Sequence, residues 1–315
     1  MPPLFHRPNH RVHKGDHYTG RTMSSSLQQR LITWFTAHSR PLAWREPGTS
    51  AWGVLLSEVM SQQTPVARVE PVWREWMDRW PTPADFAAAS PEEVLRAWGR
   101  LGYPRRALRL LECARAVVSR HDGRVPEDVD ELLALPGIGD YTARAVACFA
   151  YGHNVPVVDT NVRRVHRRLI EGRFLAGTAS KRELAQVAEL LPEGGDGPRF
   201  SVAMMELGAL VCTAKNPVCG MCPVRGDCAW VQAGSPAPSE EEQAAAKKRV
   251  QKFAGTDRQV RGLIMGVLRS AEHPVPQAEI DVVWPDAAQR SRALFSLLED
   301  GLAEQDGAGL FHLPR

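Results

Sequence analysis

Four of the six cysteines fall in one short stretch, VCTAKNPVCGMCPVRGDC, where Cys212, Cys219, Cys222 and Cys228 are spaced C-x6-C-x2-C-x5-C. In a reducing compartment such a set points to metal rather than to disulfides, and thiolates at this spacing suit either zinc or an iron–sulfur cluster. Cys113 and Cys148 lie in apolar helical runs and read as small core residues. Two carboxylates also sit where acid–base chemistry is possible. Glu58 lies in AWGVLLSEVM, an apolar helix. Surroundings of that kind favour the protonated carboxyl and suit a general acid, although a solvated helix glutamate would look the same. Asp159 follows the extended run VPVV and precedes a helix beginning near Asn161, which is the position of an N-cap.

A third constellation is the turn LPGIGD, which runs into a helix opened by Tyr141. Gly137 and Gly139 are expected to supply positive φ and to remove side chains that would hold a partner away. The unpaired N–H groups at the start of the next helix, with the helix dipole, suit a phosphate. A contact of that kind positions a nucleic acid without reading its bases. An ordinary helical hairpin with a glycine stop is the plainer alternative.

The elements that must hold these residues are helical. From Leu27 to about Leu210 apolar residues recur at helical period, as in Trp52 to Gln63, Pro91 to Gly99, Arg105 to Arg120 and Lys181 to Leu191, and β-branched alternation is almost absent. Ser90-Pro91-Glu92-Glu93 is a helix start, with a capping serine, proline in the first turn and acids at the positive dipole end. The body is therefore expected to be all-α.

The chain divides by composition. Residues 1–25 are basic, rich in His, Arg, Pro and Gly, and read as a disordered arm; 26–230 form the helical body with the cysteine loop; 231–256 read as a mobile linker. Residues 257–315 carry helical patterns at Arg258 to Glu272, Gln277 to Val283 and Ala287 to Asp300, then two short extended runs around a Gly-rich turn. Three helices and a hairpin resemble a winged-helix domain; a small helical appendage on the body is the alternative.

With 315 residues, 43% of them hydrophobic, the chain can bury a sizeable core. No stretch approaches the roughly 18 apolar residues of a membrane span, and no signal peptide is evident, so a cytoplasmic, nucleoid-associated protein is expected. The net charge of +3 is only mildly basic. The basic residues cluster, however, at Arg100, Arg105, Arg106 and Arg109 and again at Arg163, Arg164, Arg167 and Arg168.

The hairpin LPGIGDYTA, then VVDTNVRRV, then the four-cysteine loop, in this order, resemble the helix–hairpin–helix DNA glycosylases of the endonuclease III superfamily. LSEVMSQQT and LGYPRR resemble its adenine-glycosylase branch, the MutY type, and the likeness spans about residues 27–230. The resemblance implies a two-lobed all-α fold with double-stranded DNA in the cleft and a nucleotide flipped from the stack. It also implies a 4Fe–4S cluster on Cys212, Cys219, Cys222 and Cys228.

By the same resemblance Glu58 protonates N7 of adenine and then helps activate water. Asp159 stabilises the oxocarbenium-like transition state or traps it covalently, as in glycoside hydrolysis. Tyr141 orients groups around C1′, and Asn161 supports the site. Bifunctional relatives carry a Schiff-base lysine where Tyr141 stands, so a monofunctional enzyme is implied. Gln62 and Tyr103 would enter the duplex, with Tyr103 as a wedge beside the opposing base, and Arg40 and Trp44 would line the adenine pocket. The implied substrate is adenine mispaired with 8-oxoguanine or guanine, and the implied state a monomer.

Three features depart from the family pattern. The tail after Trp230 does not resemble the Nudix-like domain that recognises 8-oxoguanine in most relatives. Ser61 stands where leucine is usual, and Val202 where a Gln or Glu often contacts the adenine edge. Alternative readings are an endonuclease III-like enzyme for oxidised pyrimidines and a non-catalytic iron–sulfur DNA-binding regulator. Tyr141 and LSEVMSQQT argue against the first, and the joint presence of Glu58, Asp159 and Tyr141 against the second.

Overall fold

The computed structural model describes residues 23–247 and 253–315. The expected basic arm therefore lies almost wholly outside the described residues. The chain enters through α1 (Ser25–His38), capped by Ser24, and reaches the irregular segment around Ala43–Arg45. There follow α2 (Ala51–Ser61), α3 (Val66–Arg79), α4 (Pro83–Ala87), α5 (Pro91–Trp98), α6 (Arg105–Arg120), α7 (Val129–Leu133) and α8 (Asp140–Tyr151). These pack as one lobe around Trp52, Trp73, Trp76, Trp80, Phe86 and Trp98. Aromatic rings of this size dominate core burial, and their indole N–H groups need partners. They find them: Trp52 donates to the Trp80 carbonyl at 3.1 Å, Trp73 to Gly53 at 2.8 Å and Trp98 to Gly102 at 2.9 Å.

Helix α2 runs through the middle of this lobe and is buried on nearly every side, from Trp52 to Met60. A helix apolar all round belongs in a core. The expected serine cap of α5 is present and extends to a capping box, Ser90 and Glu93 each accepting the other's backbone N–H.

The second lobe takes α1 together with α9 (Thr160–Leu169), α10 (Arg182–Ala188), α11 (Gly197–Leu210), the cysteine loop and α12 (Ala229–Gln232). Its core joins Leu27, Leu31 and Ile32 of α1 to Phe200, Met204 and Leu207 of α11. Helices α9 and α11 approach closely at Gly208, where an added Cβ would lie 2.6 Å from the Asn161 Cβ.

Within the expected linker, residues Glu240–Lys247 form a further helix, α13, with Ser239 and Glu242 exchanging capping hydrogen bonds at 3.1 and 2.9 Å. A reciprocal cap ahead of an alanine run outweighs the Pro-Ser composition before it. Residues 248–252 of that segment lie outside the described set.

The C-terminal part contains α14 (Asp257–Ser270), α15 (Gln277–Asp281), α16 (Ala287–Glu299) and a hairpin of β1 (Glu304–Gln305) and β2 (Phe311–His312). Val275, between α14 and α15, bridges Phe311 in antiparallel fashion and adds a third extended segment. This part packs on the first lobe. Arg96 donates to the Ala271 carbonyl at 2.7 Å, and Arg105 pairs with Asp300 at 3.0 Å. No helix among the described residues is long and apolar enough to cross a membrane.

Candidate active site and cysteine loop

A cleft of about 980 Å³, large enough for a nucleotide, opens where the two lobes meet, and Arg40, Trp44, Arg45, Glu58, Gln62, Tyr141, Asp159 and Asn161 all line it. Ser61 and Val202, two of the three departures, stand on its walls. Tyr103, Gly137 and Gly139 do not line the cleft.

Glu58 reaches the cleft from α2 and is half-buried. Loss of hydration pushes its carboxyl up to about 7, and the neighbouring Asp159 adds to the rise. The Tyr141 hydroxyl, which donates to Glu58 Oε2 at 2.8 Å, and the Arg45 charge pull it back. Burial also raises the Tyr141 hydroxyl well above its ordinary range, so it stays protonated and acts as a donor. Glu58 is thereby poised near neutrality, which general acid–base work requires.

Asp159 is the N-cap of α9, as its position in the chain suggests. Oδ1 accepts the Val162 N–H at 2.7 Å, and Oδ2 accepts the Asn161 amide at 2.7 Å. Burial raises its carboxyl, while these bonds and the Arg164 charge oppose the rise. Asn161 in turn accepts from Arg164 at 2.7 Å, and Arg164 donates to the carbonyls of Cys212 and Gly208, each at 2.6 Å. The cysteine loop and the candidate catalytic carboxylate therefore share one arginine.

The turn after α2 is held from below by Arg106, which donates to the carbonyls of Val59 and Gln62, each at 2.7 Å, and to that of Gly102 at 3.0 Å. It ties the Gln62 turn to the Tyr103 turn. Both carry a non-glycine residue at positive φ, Gln63 at 56° and Tyr103 at 49°. The Gln62 amide turns inward to Thr142 Oγ1 at 3.3 Å, whereas Gln63 is exposed. Tyr103 is 41% exposed, and its hydroxyl lies 2.8 Å from Arg258 of α14. Trp44 combines two roles, lining the cleft and packing edge-on against Trp73 with centroids 5.9 Å apart.

The glycine reading holds for Gly137 and is corrected for Gly139. Gly137 has φ 75°, and a Cβ there would meet the Arg109 Cβ at 2.8 Å. Gly139 is the N-cap of α8 with φ −100° and ψ 173°, extended backbone that any residue adopts. An added Cβ at Gly139 would project into open space, so what its small size provides is room outside the protein.

Cys212, Cys219, Cys222 and Cys228 line one small cavity with Arg168, Val211 and Trp230. This largely apolar cavity thus holds a donor set of four thiolates, which fits an iron–sulfur cluster. Burial pushes the Cys222 thiol up to about 11, and the three neighbouring sulfurs contribute; a cationic iron centre would reverse that by taking thiolates. Arg168 donates to the Thr213 and Ala214 carbonyls at 2.7 and 3.0 Å and brings positive charge to the loop. Cys113 and Cys148 are buried, with thiols pushed up to about 12, as core residues should be.

Glu206 has no distinguishing spacing, and the sequence reading passes over it. It is fully buried on α11, and accepts from Arg40 and Arg45. Its one signal is an acid inside an apolar helix, FSVAMMELGAL, the same signal that marks Glu58.

A helical hairpin whose second helix brings Tyr141 into an interlobe cleft, a carboxylate pair in that cleft and a four-cysteine loop together define a helix–hairpin–helix DNA glycosylase with an iron–sulfur cluster. Residues 56–193 match the HhH-GPD superfamily of base excision DNA repair proteins, and 212–228 match the iron–sulfur binding domain of endonuclease III. The chain is 58% identical to the adenine DNA glycosylase of Mycolicibacterium smegmatis, over 90% of this chain and 94% of that one. It is 41% identical to the human adenine DNA glycosylase over 65% of this chain and 39% of that one. A solved thermostable thymine-DNA glycosylase superposes with TM-score 0.61 at 26% identity, covering 66% of this chain and 96% of that one. The chain belongs to the adenine DNA glycosylase family of the HhH-GPD superfamily, whose cysteine loop holds a 4Fe–4S cluster.

Proposed function

We infer that this DNA N-glycosylase of base-excision repair acts on adenine mispaired with 8-oxoguanine or guanine, that it is monofunctional, and that it works as a monomer. The observation that carries this reading is the group of Glu58, Tyr141 and Asp159 in one cleft, with the Glu58 carboxyl near 7.

Glu58 gives its proton to N7 of the flipped adenine. The C1′–N9 bond then breaks with its electron pair going to the base, and the oxocarbenium-like sugar is stabilised by Asp159. Water adds to C1′, Glu58 takes the released proton, and adenine and an abasic site remain. Tyr141 orients Glu58, and Asn161 orients Asp159. None of the lining side chains is a lysine, which supports hydrolysis without a Schiff base. The four cysteines would hold the cluster, which when bound cross-links residues 212–228 into one loop and supplies a redox-active centre.

Arg40 and Trp44 border the base, Gly137 and Gly139 bring the α8 N-terminus to a phosphate, and the turns of Gln62 and Tyr103 enter the duplex. The C-terminal part is a winged-helix-like module, supported by the Val275–Phe311 bridge and the order of its helices.

The test is single-turnover excision from duplexes holding one A opposite 8-oxoguanine, G, C or T, read with and without alkali. Release opposite 8-oxoguanine or G that yields a strand break only after alkali supports the reading. Breakage without alkali contradicts the monofunctional part, and equal rates opposite all four bases contradict the mispair part.

A further inference from the structure

Glu206 is a carboxylate with no exposure at all, yet it touches none of the reacting groups. It stands on α11 in the second lobe. Its four hydrogen bonds come from the segment that leads into α2 on the other side of the cleft. The Arg40 backbone N–H and Nε reach Oε1 at 2.8 and 2.9 Å, and Arg40 Nη2 reaches Oε2 at 2.8 Å. Arg45 Nη2 completes the set at 3.0 Å. Burial alone would raise this carboxyl, but the two arginines hold it down at about 2. It therefore carries a full negative charge at any working pH.

A buried charge pair is weak as a source of stability, because desolvation offsets most of the attraction. What it does well is fix direction. Arg45 is held with one terminal nitrogen on Glu206, while its other, Nη1, is buried and unpartnered on a side chain that lines the cleft. That nitrogen makes no hydrogen bond within the protein. A guanidinium only donates, so it suits the acceptor ring nitrogens of adenine and mismatches the N1–H of guanine.

We propose that Glu206 is a positioning residue for excision: it aims Arg40 and Arg45 at the flipped base and cancels the part of the Arg45 charge that Glu58 would otherwise feel. This rests on the reading of Glu58 as the general acid. The groups facing Glu58 are Tyr141 and Cys148 from α8, Asp159 from the cap of α9 and Arg45 from the Ala43–Arg45 segment. Arg106 of α6 turns instead to the carbonyls behind Glu58, at Val59 and Met60. Of these, Arg45 is the cation that opposes protonation of Glu58, and Glu206 is the anion bonded to it.

The sign follows directly. With Glu206→Gln the arginine pair loses its counter-charge, Glu58 ionises at lower pH, and the alkaline limb of the single-turnover rate moves down. Arg45→Gln removes the cation and moves the same limb up. For A opposite 8-oxoguanine at saturating enzyme, Glu206→Gln is expected to slow excision about tenfold at pH 8 and to stay within about threefold of the parent at pH 5.5. A rate loss by the same factor at every pH would mean a merely structural part and would overturn the proposal. Should Glu206→Gln fail to fold, an unmoved limb in Arg45→Gln overturns it equally. The parent enzyme run alongside separates the two readings. If the parent releases adenine with an alkaline limb near neutrality, an unmoved limb in the variants removes only the role of Glu206. If it releases none, or lacks that limb, the assignment of Glu58 falls first and this role with it.

Discussion

The Tyr141 hydroxyl donates to Glu58 Oε2 across 2.8 Å, joining the first helix of the lobe core to the helix that follows the hairpin. A bond to the ionised carboxylate favours ionisation, so Tyr141 works against the burial that protonates Glu58. Tyr141→Phe is therefore expected to raise the Glu58 carboxyl further and shift the alkaline limb of the rate profile to higher pH. The plateau rate should fall about tenfold because the carboxyl loses its orientation. Single-turnover rates between pH 5 and 9 would reveal both changes, and a limb moving to lower pH would contradict this account of the bond.

The same burial has a consequence for stability. Glu58 moves from 4.5 to about 7 on folding, so between those values the folded state binds more protons than the unfolded one. Stability falls as pH rises through that window, and the full penalty is present above it. Glu58→Gln removes the charge and should stabilise the protein at pH 8 by about 2 to 3 kcal/mol, with little change at pH 4.5. Denaturant midpoints of parent and variant at the two pH values measure it.

Gly137 and Gly139 should respond differently to the same substitution. Gly137→Ala forces a side chain into positive φ against Arg109 and is expected to lower stability by about 1 to 3 kcal/mol. Gly139→Ala meets nothing inside the protein, so stability should change by only about 0.5 kcal/mol. Its DNA affinity should nonetheless fall severalfold, because the methyl group occupies the space a phosphate would take. Thermal melts and binding at one fixed salt concentration separate the two.

Much of this was legible in the residue pattern, for a physical reason in each case. Arg105–Arg120 and the Ser90 cap could be read because helical period and capping chemistry are local. The four cysteines could be read because ligands close in sequence need little folding to meet. What escaped depends on long-range packing. Glu206 acquires meaning only when α11 crosses the cleft to Arg40, and the tight fit of Gly137 shows only once the hairpin closes on Arg109. The inward turn of Gln62 is set by Thr142 and Arg106, distant in sequence. The helix over residues 240–247 escaped for the opposite reason: the Pro-Ser composition beside it masked a strong local cap.

The cysteine loop makes a further prediction. Protein prepared without oxygen should be brown, with absorbance near about 400 nm, and Cys219→Ser should lose most of that absorbance. Arg164 links Cys212 to Asn161, so loss of the cluster should also slow excision. Iron and sulfide analysis beside the spectrum decides the matter; a colourless protein containing zinc would contradict the cluster.

Glu58 is the proposed proton donor. Its most direct test compares Glu58→Gln with the parent enzyme on A opposite 8-oxoguanine, at enzyme concentrations well above the measured Kd of each. The account predicts retained DNA binding and a rate lower by about a thousandfold. Excision within tenfold of the parent at pH 7 would contradict it.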